Sequence, residues 1–202
     1  KSGQLYENIL TFEENADICD GWFHGIAAND EIIYSTAGNA RISEVCNGPE
    51  TATIKILNTI KLPEEFSFDR MERSANLKDF TIQTLITLRA GSDKLEIKTS
   101  INNNIKDHRL RVVLPTSANT DTYLTDSVFD VVQRDIALCK DNYKKKELQT
   151  DTRPQQNWTA IADGKRGLAV ISPGLYETAV SDEPTKPIKL TLFRSTRKTV
   201  MT

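Results

Sequence analysis

The feature that most constrains the fold is an alternation of apolar and polar side chains with a period of two. It is clearest over residues 94–101, where Leu95 and Ile97 fall on one side of an extended strand and Glu96 and Lys98 on the other. Side chains point to alternate faces of a strand, so this pattern is typical of an antiparallel strand with one face against a core. We therefore expect a half-buried strand here.

Other segments rich in β-branched and apolar residues predict further strands. The longest, residues 81–88, is joined to the strand at 94–101 by the turn residues Ala-Gly-Ser-Asp, which predicts a hairpin. Residues 135–148 have too few apolar positions to define a helical face, and we interpret them as an excursion between strands. Further strands are predicted at residues 53–56, 109–114, 127–133, 158–162, 168–171, 176–180 and 188–193. The prediction is an all-β fold, a large antiparallel β-sandwich.

Composition excludes several classes of partner. The chain has 202 residues, of which 38% are hydrophobic, and this is enough for one large domain with a core. A net charge of -2 offers no clustered basic surface for nucleic acid or anionic lipid. The apolar runs are far too short to cross a bilayer, and residues 1–10 do not resemble a signal peptide. We expect a soluble chain that binds neither nucleic acid nor membrane.

Motifs that would carry catalysis or bind a metal are missing from the sequence. It has no phosphate-binding glycine loop, no nucleophile elbow and no H-E-x-x-H helix, so no catalytic residue can be assigned. Cys19, Cys46 and Cys139 are odd in number and far apart, and we interpret them as reduced structural thiols. His24 and His108 are isolated histidines, which more often form ordinary hydrogen bonds than a zinc site. We assign no metal ligand here.

Residues 20–25 are richer in functional side chains than a β surface requires. Trp22 and Phe23 lie between two glycines, with Asp20 before them and His24 after them. Sugars are bound by aromatic faces together with fixed polar groups, so this loop could line a saccharide site. The alternative is a strand that sends Trp22 or Phe23 into the core, and composition alone favours that alternative.

Two further polar segments have more than one interpretation. In residues 102–111, Arg109 and Arg111 would share one face of a strand, which favours a structural ion network over a substrate contact. Residues 152–158 surround an arginine and a tryptophan with hydrogen-bonding side chains. A domain interface, a loop lock and a binding site would all produce that pattern.

Taken in order, four segments resemble the C-terminal region of glycoside hydrolase family 38, in its bacterial mannosidase and mannosylglycerate hydrolase branch. They are residues 102–116 (NNNIKDHRLRVVLPT), 127–135 (SVFDVVQRD), 152–177 (TRPQQNWTAIADGKRGLAVISPGLYE) and 190–195 (LTLFRS). The resemblance implies a supersandwich of the galactose-mutarotase type. It also implies that residues 1–202 are a C-terminal β-sandwich fragment without the catalytic barrel domain, and the start at Lys1 without Met suggests an excised segment.

For the parent chain, the resemblance implies a retaining α-mannosidase. A preceding barrel domain would supply a zinc ion, an Asp nucleophile and an Asp general acid, none of which can be placed here. We therefore expect the fragment alone to be inactive and to bind no cofactor, with zinc held elsewhere in the parent. The expected compartment is the bacterial cytoplasm.

The resemblance also implies that the β region lends an aromatic residue and an arginine to the sugar site. By motif position the arginine is Arg134, and the aromatic is Trp22, with Asp20 beside it as a third substrate-binding candidate. The family often has a Tyr at the aromatic position, so Trp22 departs from the pattern by offering an indole N–H. The segment 152–158 is then interpreted mainly as loop-locking, through Arg153, Gln155 and Trp158.

The expected partners are the N-terminal catalytic domain of the same chain and an α-mannoside substrate. A rival hypothesis is an independent carbohydrate-binding β-sandwich, with Trp22 and Trp158 at a self-sufficient sugar site. A third is a structural β domain that mediates contacts in a homo-oligomer. Gly174 is expected to provide a turn conformation that other residues tolerate poorly.

Overall fold

A computed structural model describes residues 3–22 and 24–197 of the chain. The described residues form antiparallel sheets and two single-turn 3₁₀ helices, Ser35–Ala37 and Asn142–Lys144. The strands are β1 (Thr11–Ala16), β2 (Ile33–Tyr34), β3 (Asn39–Asn47), β4 (Thr51–Pro63), β5 (Phe66–Ser67), β6 (Glu72–Arg73), β7 (Leu77–Arg89), β8 (Leu95–Ile101), β9 (His108–Leu114), β10 (Thr122–Ser127), β11 (Asp130–Asp135), β12 (Thr152–Pro154), β13 (Trp158–Ala162), β14 (Gly167–Ile171), β15 (Glu177–Val180) and β16 (Ile188–Ser195). The all-β prediction is confirmed.

Most predicted strands are present, and one is wrong. The predicted strand at 127–133 spans a hairpin, because the chain turns at Val128 and Phe129 between β10 and β11. Phe129 has a φ of +67°, which a bulky residue rarely adopts, so its side chain gives no turn signal. Residues 136–151 are irregular apart from one 3₁₀ turn, which confirms an excursion between strands.

Contacts divide the described chain into two compact units, and the division falls inside β1, β9 and β16. The first unit comprises residues 3–12 and 110–193, and the second comprises residues 13–22, 24–109 and 194–197. Each unit has its own buried apolar side chains.

The first unit contains a four-stranded antiparallel sheet in the order β11-β10-β13-β14. It also contains the antiparallel ladder β12-β15-β16. Alternate residues of β10 and β13 are buried, as a sheet with one covered face requires. Its fully or nearly buried side chains include Leu110, Tyr123, Ile136, Ile161, Val180 and Ile188.

The second unit is built on the sheet β3-β4-β7-β8. β4 and β7 pair without interruption from Thr51↔Arg89 to Pro63↔Leu77, which makes them the longest ladder of the unit. β1 pairs with β2, and β5 pairs with β6. The larger buried apolar side chains are Ile60, Leu62, Phe66, Phe80, Ile82 and Ile105.

Buried charges in the second unit are held as carboxylate–guanidinium pairs. Each of three fully or nearly fully buried carboxylates accepts two hydrogen bonds from one arginine, with donor–acceptor distances of 2.6–3.2 Å. The pairs are Glu14 with Arg73, Asp17 with Arg194, and Asp107 with Arg197. Two-point contacts of this kind compensate the cost of burying charge, so each pair fixes the local backbone.

Candidate functional site

The loop around Trp22 in the second unit is tied at its base by Asp17. The Asp17 carboxylate accepts the N–H of Gly25 at 3.2 Å and the Nε–H of Arg194 at 2.6 Å. A Cβ on Gly25 would lie 2.4 Å from Sγ and 2.7 Å from the backbone N of Cys19, so no larger residue fits without a shift. The two ends of the loop therefore approach each other closely only because residue 25 is glycine.

Asp20 shapes the tip of this loop. Its Oδ1 accepts the backbone N–H of Trp22 at 2.9 Å, which forms an Asx turn, and Arg194 donates to its carbonyl oxygen at 2.6 Å. Asp20 is 5% exposed. Its carboxylate therefore contributes to the conformation of the loop, and a direct sugar contact from Asp20 stays a prediction.

Trp22 projects from the tied loop into solvent. It is 82% exposed, so the interpretation that it enters the core is wrong. The reason is local, because the turn that Asp20 caps places residue 22 at a bend and not in a strand. Phe23 lies outside the described residues. The loop thus offers an accessible aromatic face held on a constrained backbone.

Arg134 lies on β11 of the first unit and is half-buried. Its Nε–H donates to Oγ1 of Thr125 at 3.0 Å, and its Nη2 donates to the carbonyl of Pro154 at 3.4 Å. Among the described residues, no carboxylate forms an ion pair with this guanidinium. A structural salt bridge, the alternative to a substrate contact, is not found there.

The surroundings of Arg134 are partly dehydrated. Its cross-strand neighbour Tyr123 is 3% exposed, and burial raises the pKa of that phenol above its usual value. The positive charges of Arg134 and Arg153 act on the pKa of Tyr123 in the opposite direction. A cation next to a buried phenol favours a negatively charged or oxygen-rich ligand, because the low local dielectric strengthens such contacts.

Gln155 locks the loop that precedes β13, as predicted for this segment. It is 3% exposed, its Nε2 donates to Oγ of Ser172 and to the carbonyl of Leu175 at 2.7 Å each, and its Oε1 accepts from Oγ1 of Thr159 at 2.6 Å. Its backbone N–H also donates to the carbonyl of Tyr176 at 2.9 Å. The loop-locking interpretation is confirmed for Gln155.

Arg109 and Arg111 lie on β9, a strand buried at all seven positions. Arg109 belongs to the second unit and Arg111 to the first, and they are 5% and 6% exposed. Such burial agrees with a structural role and places both guanidiniums away from solvent. Gly174 has a φ of +90°, which confirms its predicted turn conformation.

The cysteines and histidines do not assemble into a site. All three cysteines are free; Cys19 is half-buried, whereas Cys46 and Cys139 are exposed and therefore not core residues. In the part of the chain that the structure describes, no three His, Cys, Asp or Glu side chains come together as metal ligands. No helix of the described residues is long and apolar enough to span a bilayer.

Among the cavities of the first unit are two whose linings do not include Arg134. One of about 560 Å³ is lined by Asp121, Asp135 and residues of the connection 137–149, and is wide open to solvent. One of about 200 Å³ lies over β10 and β13 and is lined by Tyr123, Gln133 and Ile161 among others.

Comparison with known proteins defines first a class and then a family. The chain is an all-β sandwich region of the kind found in glycoside hydrolases. It belongs to the glycosyl hydrolases family 38 C-terminal domain, whose family model matches residues 3–199. This confirms the resemblance carried by the four sequence segments.

Two solved structures and one sequence relative illustrate the similarity. An α-mannosidase from Enterococcus faecalis V583 has 29% identity and a TM-score of 0.90, covering 99% of this chain and 24% of that one. A glycosyl hydrolase family 38 protein from Enterococcus faecalis has 29% identity and a TM-score of 0.87, covering 100% and 24%. A Halalkalibacterium halodurans protein provisionally named a mannosylglycerate hydrolase is 26% identical, over 96% of this chain and 22% of its own length. The chain spans about a quarter of each.

Proposed function

We propose that this chain is the C-terminal β region of a retaining, zinc-dependent α-mannosidase and that it completes a substrate site formed by the catalytic domain of the same polypeptide. Membership of the family 38 C-terminal domain supports the hydrolase class. The α-mannosidase that it resembles is about four times as long, which supports a second domain that carries the chemistry. The bacterial cytoplasm remains the expected compartment.

The observation that carries the proposal is the state of the Arg134 guanidinium. Thr125 and Pro154 hold it on a regular antiparallel ladder, while no carboxylate of the described residues neutralises it. A half-buried cation without a counter-ion retains its capacity to bind oxygen ligands. In the proposed site, Arg134 donates to sugar oxygens and orients the mannoside against the catalytic domain.

Trp22, in the second unit, is a separate candidate for a sugar contact. Its indole is presented by a loop that Asp17 and Asp20 constrain, so little conformational freedom is lost when a sugar stacks on it. The indole N–H can donate to a sugar hydroxyl, where the family often has a Tyr hydroxyl. Asp20 supports this contact by accepting the backbone N–H of Trp22.

Zinc would be held by the catalytic domain. Among the described residues of this chain, no three His, Cys, Asp or Glu side chains come together as ligands for it. We therefore assign no catalytic step to the metal here. The contribution of this chain is to bind and orient substrate, and the carboxylates that cleave the glycosidic bond would belong to the other domain.

An independent carbohydrate-binding module is the second candidate, and the 82% exposure of Trp22 favours it. The two candidates differ in what the 202-residue chain does alone. A self-sufficient module would bind methyl α-mannoside and change Trp22 fluorescence without any catalytic domain. Under the leading proposal, titration of the chain alone with methyl α-mannoside gives no saturable signal.

The test of Arg134 uses the full-length polypeptide and an aryl α-mannoside. Loss of hydrogen bonds to a charged donor should lower kcat/KM of Arg134→Ala by roughly 10- to 100-fold. Arg134→Lys should retain part of the activity, because it keeps the charge but not the fork of donors. Arg89→Ala, which removes an exposed guanidinium paired with Glu96, should leave kcat/KM unchanged. Unaltered kinetics in Arg134→Ala, with unaltered Tm, would remove Arg134 from the substrate site.

A further inference from the structure

One face of the sheet β3-β4-β7-β8 is apolar in the half that contains the start of β4, the end of β7 and the start of β8. The strand register makes its side chains cross-strand neighbours, through pairs such as Ile54↔Ile86 and Ile86↔Ile97. Leu88 and Leu95 form the next pair on the same face. We name this surface the apolar sheet face, and its members are Ile42, Ile54, Ile56, Ile86, Leu88, Leu95 and Ile97.

The same face is covered at one end and open at the other. Farther along β4 and β7, Ile60 is 2% exposed and Phe80 and Ile82 are 0% exposed. In the apolar sheet face, Leu95 is 51% exposed and Ile42 69% exposed, and Ile54, Leu88 and Ile97 are 40–48% exposed. The layer that buries Ile60, Phe80 and Ile82 therefore stops partway along the strands. A contiguous exposed aliphatic surface of this kind marks an interaction site in a soluble protein.

The opposite face of the sheet has the composition of a solvent-facing surface. Thr53 and Thr87 form a cross-strand hydrogen bond there at 2.9 Å, and Arg89 and Glu96 form an exposed ion pair at 2.8 Å. Each strand thus has one polar side and one apolar side, the pattern of a sheet made to be packed on one side only. The alternation predicted a half-buried strand with Leu95 and Ile97 on the face against a core, yet both side chains are about half exposed, so the described residues lack part of the expected cover.

We propose that the apolar sheet face is the docking surface for a second β-sheet, contributed by the part of the family 38 polypeptide outside these residues. Two β-sheets pack face to face about 10 Å apart through such aliphatic side chains. The matched Enterococcus faecalis mannosidase contains about three times as much further chain, which is ample to supply this layer. The proposal rests on the proposed function in one respect, namely that the chain is part of such a longer hydrolase.

The test places the same charged residue on either side of β8 in the full-length polypeptide. Ile97→Lys introduces an ammonium into the apolar sheet face, and Ser100→Lys introduces it on the exposed polar face of the same strand. Buried charge without a partner is strongly destabilising. We expect Ile97→Lys to lower Tm by at least about 4 °C and Ser100→Lys by less than about 1 °C, a difference typical of one buried against one exposed position. Ile97→Thr, which keeps a β-branched residue, should shift Tm in the same direction by less, and it serves if Ile97→Lys does not fold.

Two results would overturn the proposal. Equal Tm values for Ile97→Thr, Ser100→Lys and wild type would mean that the face stays in solvent. Conversion of a wild-type dimer to a monomer by Ile97→Lys, seen by light scattering, would mean that a second copy covers it. Both readouts are independent of hydrolysis, so a polypeptide that fails to cleave mannosides still tests the docking surface.

Discussion

Replacing Gln155 with leucine should destabilise the first unit by about 2–3 kcal/mol. Three hydrogen bonds are lost, each worth about 1 kcal/mol, and burial of an apolar side chain offsets part of that loss. The bonds join Gln155 to Ser172 and Leu175 at 2.7 Å and to Thr159 at 2.6 Å. Leucine has a similar volume, so little cavity is created. The cost comes from polar partners that are left buried without Gln155.

Urea unfolding followed by fluorescence measures this effect in the appropriate unit. The chain has two tryptophans, and Trp158 belongs to the first unit whereas Trp22 belongs to the second. A Trp22→Phe background therefore reports on the first unit alone. Gln156→Leu is the matched control at an exposed neighbouring position, and it should change stability by less than about 0.5 kcal/mol. A Gln155→Leu midpoint equal to that of the control would refute the loop-lock argument.

Three more predictions concern backbone turns and the exposed aromatic. The backbone N–H groups of Arg166, Asn119 and Lys165 hold the pKa of Asp163 at about 2. The ionised Asp163 side chain therefore stabilises the fold above pH 3.8, the ordinary pKa of an aspartate, and this stabilisation is lost as the pH falls through 2. Thermal melts should show Asp163→Asn less stable than wild type near neutral pH, with a difference in Tm that shrinks between pH 4 and 2. Gly174→Ala should cost about 1 kcal/mol at its positive φ, whereas Gly48→Ala, where an added Cβ would meet only ordinary contact, should be nearly neutral in the same denaturation assay. Trp22→Ala should leave Tm of the full-length polypeptide unchanged but raise KM for an aryl α-mannoside, because the side chain contributes little to folding.

Several strands could be predicted from the sequence because alternation needs several residues to show, but the nine-residue β3 was not predicted and only residues 53–56 of β4 were. β13 has the bounds predicted for it, and β8 differs by one residue. β5 and β6, with two residues each, are too short to carry a period. The hairpin between β10 and β11 was predicted as one strand because Phe129 occupies a left-handed turn position without glycine or asparagine chemistry.

The candidate site depends on contacts that no local pattern contains. Asp17 and Arg194 are separated by 177 residues, yet their ion pair ties the loop that presents Trp22. Composition favoured a core position for Trp22 or Phe23, since aromatic side chains usually gain from burial. The absence of an ion pair at Arg134 among the described residues likewise emerges only from the three-dimensional structure.

The account is tested most directly by assaying the 202-residue chain and the full-length polypeptide side by side on an aryl α-mannoside, each with and without a chelator. We expect hydrolysis only by the full-length polypeptide, because no three His, Cys, Asp or Glu side chains of the described residues come together as metal ligands. We expect the chelator to abolish that hydrolysis, because the proposed mechanism uses a zinc ion held by the catalytic domain. Zinc-dependent turnover by the 202-residue chain alone would contradict the proposed division between a catalytic domain and a substrate-orienting β region.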